Sequence, residues 1–324
     1  MEVHQIAIPN PYFESPTNAF LIHGSHSPPL LIDTGIGTAE ALSLLQRTLN
    51  QYGCSLQDIA GVLLTHKHVD HSGLARAIQE ESGARVYVHS DDWVDVALFE
   101  ERHEEVSELY LDAMRRWGIP EEVILQVGHF RAQFAGLGRS VPTAKKLSDG
   151  QVLRFGDLEV RVLHTPGHTQ GSACFLVGQR LFTGDHLLPT YTSNVGATDV
   201  TTGGHLEKFL TSLQKILELP NAERLEIYPG HGQPWTDPRA RITKILKHHR
   251  ERAERILKIL SDGQALTAFE IAQKLFGRLK DYHVLLGAGE VYAHLEVLES
   301  QGHVRQVEPY RFQIVDENCM TSPS

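Results

Sequence analysis

The sequence predicts an α/β fold in which strands and helices stack in layers. Short apolar segments bounded by Pro, Gly, Asn or Ser recur along the chain, and such segments are typical of strands. Segments with apolar residues at helical spacing follow several of them. Because the two kinds of segment alternate, a layered α/β architecture is the fold class that buries the apolar face of each.

The N-terminal part of the chain gives the order of the first elements. We expect strands at 3–8, 18–23 and 28–33, a helix at 38–52, a buried strand at 59–65, a helix at 73–82 and a strand at 85–89. Residues 91–140 break this order because they are charged and helical in pattern. We therefore predict an inserted helical pair or cap there. Its aromatic residues are expected to line an apolar pocket or to pack the insertion: Trp93, Phe99, Tyr110, Trp117, Phe130 and Phe134.

The remaining elements divide the chain. Strand structure resumes near 152–164, 173–177, 180–183 and 225–228, with a helix at 205–218. Helices at 239–260, 267–276 and 289–301 then precede short strands at 303–308 and 310–315, an order that indicates a winged helix. We predict a catalytic domain over 1–237, a winged-helix domain over 238–315 and a disordered tail at 316–324.

Composition excludes several classes of protein. No apolar run approaches the roughly 20 residues that span a bilayer, and the N-terminus lacks a signal-peptide pattern, so we expect a cytoplasmic location without membrane association. Cys54, Cys174 and Cys319 are too widely spaced for a disulfide framework or a thiolate zinc site. The net charge of −10 disfavours general nucleic-acid binding.

Histidine is unusually frequent, with 19 residues, and it clusters at the ends of predicted strands. The central motif is the segment 66–71, which follows a buried strand and contains His66, His68, Asp70 and His71. His66 and His68 alternate at the strand mouth and so face one ion, whereas Asp70 and His71 follow a turn and face a second. Further candidate ligands follow other predicted strands beside glycine: His168, Asp185 and His231. The sequence therefore predicts a centre for two divalent metal ions.

These motifs, together with Asp33-Thr34-Gly35, resemble the metallo-β-lactamase superfamily over about residues 1–235. The resemblance implies an αββα four-layer sandwich with metals at the edge of its two sheets, here followed by the winged helix. Asp70 and His71 resemble the glyoxalase II-like branch. By resemblance, the first metal takes His66, His68 and His168, the second takes Asp70, His71 and His231, and Asp185 bridges them.

The resemblance implies the role of Asp33, and position in the chain indicates those of the other neighbouring residues. Asp33 is expected to support the metal loop without binding metal, and His164 to support the ligands or to pack in the core. Tyr191 and Asn194 are candidate substrate contacts in the loop after Asp185. His186 should point away from the metals. We expect His89 at the surface and His248 and His249 to be solvated.

The implied activity is hydrolysis by a hydroxide that bridges two divalent ions. Zinc is the expected metal, with manganese and iron left open because His and Asp suit all three. Asp70 and Asp185 are the expected catalytic residues, and the substrate is expected to be a small ester, thioester or lactone. True β-lactamase action is disfavoured, since the chain lacks a signal peptide.

Two alternatives stay open. A lactamase-type domain followed by a winged helix resembles the LACTB2-like group, which includes thioesterase-like members and an endoribonuclease of single-stranded RNA. Iron-dependent persulfide oxidation is the other alternative. The predicted helix 289–301 carries three glutamates and no Lys or Arg, so it would repel phosphate. We therefore expect a small-molecule partner, with nucleic acid less favoured and a homodimer left open.

Overall fold

The computed structural model describes residues 1–12 and 15–315 of the chain. The tail predicted to be disordered at 316–324, which includes Cys319, lies outside the described residues. No helix in the described part of the chain is long and apolar enough to cross a membrane.

The first sheet begins at the N-terminus and becomes parallel towards its far edge. Its strands, in order across the sheet, are β1 (Glu2–Ile8), β2 (Thr17–Gly24), β3 (Ser27–Ile32), β4 (Gly61–Leu63), β5 (Arg85–His89) and β6 (Lys145–Leu147). β1, β2 and β3 pair antiparallel, and β3 to β6 pair parallel. Because parallel strands end at the same edge, the segments after β3 and β4 lie side by side.

The second sheet is mainly antiparallel. It is formed by β7 (Val152–Phe155), β8 (Leu158–His164), β9 (Ala173–Val177), β10 (Arg180–Gly184), β11 (Glu226–Pro229) and β12 (Trp235–Thr236). Only β10 and β11 among these strands pair parallel. The strand structure predicted near 152–164 is a hairpin, because Gly156 adopts a φ of 60° and turns the chain between β7 and β8.

Helices flank both sheets and form most of the C-terminal region. They are α1 (Ala39–Gln51), α2 (Val69–Ser72), α3 (Ala75–Ser82), α4 (Ser90–Ala97), α5 (His103–Arg116), α6 (Glu121–Ala132), α7 (His205–Leu217), α8 (Arg239–Leu260), α9 (Ala268–Phe276) and α10 (Tyr282–Ser300). A two-stranded sheet, β13 (Val304–Glu308) with β14 (Arg311–Ile314), follows α10.

The two sheets pack face to face and helices cover their outer faces. Phe20 of β2 meets Phe182 of β10 edge to face in the apolar layer between the sheets. α1 and α3 bury Leu45, Leu49 and Ile78 on the outside of the first sheet. α7 and α8 cover the outside of the second sheet. The predicted αββα layering is therefore confirmed.

The helical insertion predicted at about 91–140 is present and holds three helices, α4, α5 and α6, where a pair or a cap was expected. α5 and α6 share one buried apolar cluster with α8, α9, α10 and the C-terminal hairpin. Tyr110 and Trp117 belong to this cluster, whereas Trp93 packs on the core of the first sheet. The insertion thus packs against the C-terminal helices, and the domain boundary at residue 238 stays a prediction.

The last helix begins earlier than its sequence pattern indicates. α10 starts at Tyr282, although a start at Gly289 was expected. Gly289 lies inside the helix, where a Cβ atom would come within 2.5 Å of the Ala197 Cβ. The glycine therefore marks a close approach between α10 and the loop around residue 197, and it does not mark a helix boundary.

Candidate metal centre

Seven predicted donor side chains meet at one edge of the sandwich. They come from four segments, one after each of β4, β8, β10 and β11. The residues that the structure brings together are His66, His68, Asp70, His71, His168, Asp185 and His231. Each segment leaves its strand at the same edge, so residues far apart in sequence become neighbours here.

Three imidazoles form the first half of the centre. His66 Nε2 lies 2.9 Å from His68 Nδ1, and His68 Nδ1 lies 3.0 Å from His168 Nε2. Their other ring nitrogens all face acceptors. His68 Nε2 donates to the Thr198 carbonyl at 3.0 Å, and His168 Nδ1 donates to the Asn194 carbonyl at 2.9 Å.

The tautomer of His66 follows from two linked hydrogen bonds. The Thr65 hydroxyl donates to Asp33 Oδ2, so its oxygen accepts from His66 Nδ1 at 3.0 Å. The inward nitrogens of His66, His68 and His168 therefore all carry lone pairs, with no proton to separate them.

A carboxylate group and two imidazoles form the second half. Asp70 Oδ2 lies 3.6 Å from both His71 Nε2 and His231 Nε2. Asp185 stands between the halves, with Oδ1 3.3 Å from His71 Nε2 and Oδ2 3.5 Å from His168 Nε2. His231 Nδ1 donates to the Pro16 carbonyl at 2.8 Å, which turns its Nε2 inward.

Asp33 fixes the loop that carries four of the donors. It accepts from the Thr65 backbone N–H at 2.7 Å and from the Thr65 hydroxyl at 2.8 Å, and its Oδ2 also accepts from His71 Nδ1 at 2.8 Å. Its backbone φ is 57°, a left-handed conformation that Asp tolerates better than most residues. Asp33 thus holds the His71 ring with its Nε2 turned into the centre.

A buried acidic network, which the sequence pattern did not reveal, joins the segment 66–71 to the His168 loop. Asp92 is fully buried and accepts from the Lys67 backbone N–H, the Thr169 hydroxyl and the Gly171 N–H. Lys67 Nζ lies 3.1 Å from Asp199 Oδ2. Asp92 stands in a Ser-Asp-Asp sequence at a helix start, a position where acidic residues are common for local reasons, so its sequence gave no sign of this role.

The electrostatics of the centre favour positive charge at its second half. Burial acts to lower the pKa of His71, but the nearby carboxylates, Asp185 first, outweigh it and hold that pKa well above its usual value. Burial likewise opposes the shift at His231, yet Asp185 raises its pKa to about 9. At the first half, burial and the neighbouring imidazoles hold the pKa of His66 well below its usual value.

The two candidate substrate residues differ in the structure. Tyr191 is 47% exposed, and its hydroxyl lies 3.4 Å from the Ser15 hydroxyl, which is itself 3.4 Å from His231 Nδ1. The side chain of Asn194 is occupied by the Leu286 carbonyl and the Ala197 N–H. Asn194 therefore acts through its backbone carbonyl, which orients His168, and its proposed side-chain contact to substrate is not supported.

Among the other histidines, His89 and His249 are buried although exposure was expected, whereas His164 and His186 agree with expectation. His164 stacks on His89 with ring centroids 3.7 Å apart and contacts the Gln170 carbonyl, so it packs beside the His168 loop and touches none of the seven donors within the described contacts. His89 is buried at the start of α4, and His249 is buried against His294, because helix packing covers both. His186 packs on Phe209, away from the centre.

The donor set fits divalent metal ions. Tetrahedral zinc with ligands at about 2.0–2.2 Å keeps its ligand atoms roughly 3.3 Å apart, close to the separations here. Inward lone pairs at 2.9–3.0 Å repel each other unless a cation lies between them. His71 Nε2 and Asp185 Oδ1 are buried without a hydrogen-bond partner among the described residues, as ligand atoms of a metal would be.

The αββα sandwich and its His/Asp centre define a class of metal-binding hydrolases. The family model described as "Metallo-beta-lactamase superfamily" matches residues 12–231, more than half of the chain. This chain therefore belongs to the metallo-β-lactamase superfamily.

Relatives span the whole chain or part of it. The "Probable metallo-hydrolase YqjP" of Bacillus subtilis (strain 168) is 29% identical over 313 residues, which cover 93% of each chain. The crystal structure of the metallo-beta-lactamase family protein TTHA1429 from Thermus thermophilus is 31% identical, with a TM-score of 0.84, and covers 97% of this chain and 98% of that one. That coverage takes in the C-terminal helices as well as the sheets.

Among the relatives whose names state a reaction, one matches three quarters of this chain. It is the "Atrochrysone carboxyl ACP thioesterase dmxR1" of Cryptosporiopsis sp. (strain 8999), 27% identical over 248 residues, which cover 75% of this chain and 58% of that protein.

Proposed function

We propose that the chain is a dinuclear metal-dependent hydrolase that cleaves a small ester, thioester or lactone, with a thioester as the preferred class. The observation that carries the proposal is the set of inward-facing lone pairs on His66, His68 and His168, which a cation must separate. The relative named as an acyl-carrier-protein thioesterase supports the choice of a thioester. In this proposal the chain is a thioesterase-like member of the LACTB2-like group.

The ligand roles follow the distances. His66, His68 and His168 would hold one ion, Asp70, His71 and His231 would hold the other, and Asp185 would face both through separate oxygens. When bound, two divalent ions lower the pKa of a water molecule and polarise a substrate carbonyl. Zinc is the metal we propose, and manganese or iron would bind to the same atoms.

Asp70 is the residue we propose to orient the attacking water. The Thr17 hydroxyl donates to Asp70 Oδ2 at 3.0 Å and so fixes the plane of the carboxylate. The same oxygen faces His71 and His231. A carboxylate held in this way accepts a proton at a fixed position and passes it towards the leaving group.

A row of aromatic rings offers an apolar wall for an acyl chain. Tyr12 meets Phe134, Phe134 meets Phe130, and Phe130 meets Tyr282, with ring centroids 5.3–5.5 Å apart. Tyr12 stands three residues before Ser15, whose hydroxyl lies 3.4 Å from His231 Nδ1. We propose that this row, which joins the N-terminal segment, α6 and α10, receives the acyl chain of the substrate.

The test is hydrolysis by the untagged full chain loaded with zinc, manganese or iron in turn. Acyl-coenzyme A thioesters of increasing chain length form the panel, and single-stranded RNA is assayed beside them. We expect thioester turnover that is lost on chelation and lost in Asp185→Asn, because that variant removes one of the two charged oxygens facing the ions.

The aromatic row makes a finer prediction within the same assay. Phe134→Ala should raise KM for long acyl chains more than for acetyl, because only long chains reach the row. Leu125→Ala, at an exposed site on the same insertion, is the matched control and should leave KM unchanged for long acyl chains and for acetyl. Absence of thioester turnover in a metal-loaded sample would overturn the choice of a thioester, and RNA cleavage in that sample would favour the nuclease alternative.

A further inference from the structure

A second group of metal-binding side chains lies on the N-terminal strands, apart from the seven donors. His4 Nε2 of β1 lies 3.0 Å from His23 Nε2 of β2. Glu2 Oε2 lies 3.4 Å from His4 Nε2 and 3.7 Å from His23 Nε2. Three atoms of the kinds that bind zinc therefore form a small triangle at the surface.

Strand pairing explains why these side chains meet. Glu2 stands directly opposite His23 in the antiparallel pair of β1 and β2, and His4 follows two residues after Glu2. Residues two apart on a strand share a face, and cross-strand neighbours on that face bring their side chains together. The sheet thus fixes the triangle by its register, without any loop.

The imidazole of His4 is also held from its other side. Tyr52, at the end of α1, stacks on it with ring centroids 3.8 Å apart and an interplanar angle of 18°. The His23 ring lies nearly parallel to it, at 27°. Stacking of this kind limits the rotamers of His4, so less side-chain entropy is lost when an ion binds.

The distances agree with a single coordinated ion. Ligand atoms around tetrahedral zinc lie roughly 3.3 Å apart when each metal bond is about 2.0–2.2 Å. The three sides of the triangle, at 3.0, 3.4 and 3.7 Å, bracket that value. His4 and His23 are only 20% and 27% exposed, while Glu2 is 70% exposed, so one side of the triangle stays open for an ion to enter and for water to complete its shell.

A second histidine pair on the strands, His89 and His164, is less suited to an ion. His89 and His164 stack face to face at 3.7 Å, and His164 Nε2 already contacts the Gln170 carbonyl. His89 Nδ1 accepts from the Asp91 backbone N–H. Two of the ring nitrogens that an ion would need are therefore occupied by the protein.

We propose that Glu2, His4 and His23 form a surface site for one zinc ion, distinct from the hydrolase centre. The ligand class is a borderline-soft divalent cation, since two imidazole nitrogens and one carboxylate oxygen suit zinc better than calcium or magnesium. The bound ion joins β1 to β2 and stabilises their pairing.

The site is tested by zinc binding to the full chain without a histidine tag. Equilibrium dialysis against zinc, followed by elemental analysis, gives the number of ions per chain for the parent protein, His4→Ala and His23→Ala. We expect each variant to bind one zinc ion fewer than the parent. Hydrolysis by the metal-loaded protein should stay unchanged, because neither residue belongs to the hydrolase centre.

Two further variants serve as controls for the zinc-binding experiment. His26→Ala removes an exposed histidine from the turn between β2 and β3 and should retain the full zinc content. Glu2→Gln keeps the shape of the side chain but weakens zinc binding. It therefore tests the site even if an alanine variant folds poorly. Zinc should raise the melting temperature of His26→Ala more than that of His4→Ala. Equal zinc content in the parent, His4→Ala and His23→Ala would overturn the proposal.

Discussion

Among single residues, Asp33 shows how one side chain outside the ligand set controls the centre. It accepts hydrogen bonds from Thr65 and from His71 Nδ1 and so sets which nitrogen of His71 faces inward. Its positive φ is a second constraint, because few side chains adopt that conformation without strain. Asn is one of those few, and it keeps the shape of the side chain while removing the charge.

We therefore predict that Asp33→Asn folds but loses about 10–100-fold in metal affinity or activity, the range found when supporting partners of metal ligands are changed. The physical reason is that an amide NH₂ faces the donors of Thr65 or His71 and no longer orients His71. Metal content and hydrolysis of the purified variant are the measurements.

Asp237 provides the matched control for this prediction. It also has a positive φ, 58°, and accepts from Arg239 at the surface. Asp237→Asn should leave both metal content and hydrolysis at the parental level. If Asp33→Asn were equally harmless, the orienting role of Asp33 would be wrong.

The sequence predicts the seven donors better than it predicts their partners. His168, Asp185 and His231 could be identified because each follows a strand and stands beside glycine, a local pattern. Asp92 and Thr17 could not be identified, because their partners Thr169 and Asp70 are distant in the chain. The loop position of Asn194 suggests a contact to substrate, because position alone does not tell whether the side chain or the backbone carbonyl acts.

Among the elements, α10 supports the loop that orients two donors. Gly289 of α10 packs against Ala197, and Ala293 packs against Gly196. The same loop supplies the carbonyl of Asn194 to His168 and that of Thr198 to His68. The C-terminal region thus contributes to the centre by packing, although it contributes no ligand of the proposed set.

This packing predicts the effect of Gly289→Ala. The added Cβ would lie 2.5 Å from the Ala197 Cβ and 2.7 Å from its Cα, so backbone must move. Overpacking costs about 1–3 kcal/mol, and the helix preference of Ala returns at most about 1 kcal/mol. We expect a lower free energy of unfolding in urea, together with reduced hydrolysis because the loop shifts.

A second helical glycine is the control for that variant. A Cβ on Gly128 of α6 would meet only the Leu111 side chain at 3.9 Å, so Gly128→Ala should raise the unfolding free energy by up to about 1 kcal/mol. If Gly289→Ala and Gly128→Ala both raised the free energy of unfolding, α10 and the loop would not be in close contact.

The helix pair α8 and α10 also predicts acid sensitivity. Burial lowers the pKa of His294 to about 4 and that of His249 to about 2. Because an unfolded histidine titrates near pH 6.5, the unfolded chain binds these protons first as the pH falls. Stability is complete above about pH 6.5 and falls towards pH 4, with roughly 2 kcal/mol lost from His294 alone by about pH 5.

Variants separate this effect from other titrating groups. The nearby Glu290 acts in the opposite sense, since burial raises its pKa, while Arg252 and His248 also face the pair. Replacing His249 and His294 together by Leu should flatten the pH dependence of the melting temperature between pH 6.5 and 5. His283→Leu, at an exposed site of α10, should leave the slope unchanged.

Element boundaries show where local patterns fail. α8 matches its predicted range because its long amphipathic pattern has no competing interpretation. The sequence pattern places the start of α10 too late, because Gly287 and Gly289 suggest a helix end. Both glycines stand inside the helix, at close contacts with Leu279 and Ala197. β12, with two residues, carries no pattern of its own and depends on its pairing with β11.

At the scale of the whole molecule, the candidate centre joins the two sheets. The segment 66–71 follows the first sheet, whereas His168, Asp185 and His231 follow strands of the second. Direct bonds also cross this edge, since the Asn18 N–H donates to the Gly230 carbonyl and the Ala173 N–H donates to the Thr65 carbonyl. The layered fold could be predicted from sequence, but which strand ends meet depends on sheet order, which no local pattern contains.

Metal removal should therefore loosen both halves of the sandwich at this edge. Chelation leaves the inward lone pairs of His66, His68 and His168 facing each other without a cation, and the loops then separate to relieve the repulsion. Hydrogen exchange should rise in the segments 65–72, 165–171 and 229–232. The first follows a strand of the first sheet, and the other two follow strands of the second sheet. The internal control is α9, which packs with the C-terminal cluster and should keep its protection. Exchange that rises in only one sheet, or in none after elemental analysis confirms removal of the metal, would show that the ions do not link the two sheets.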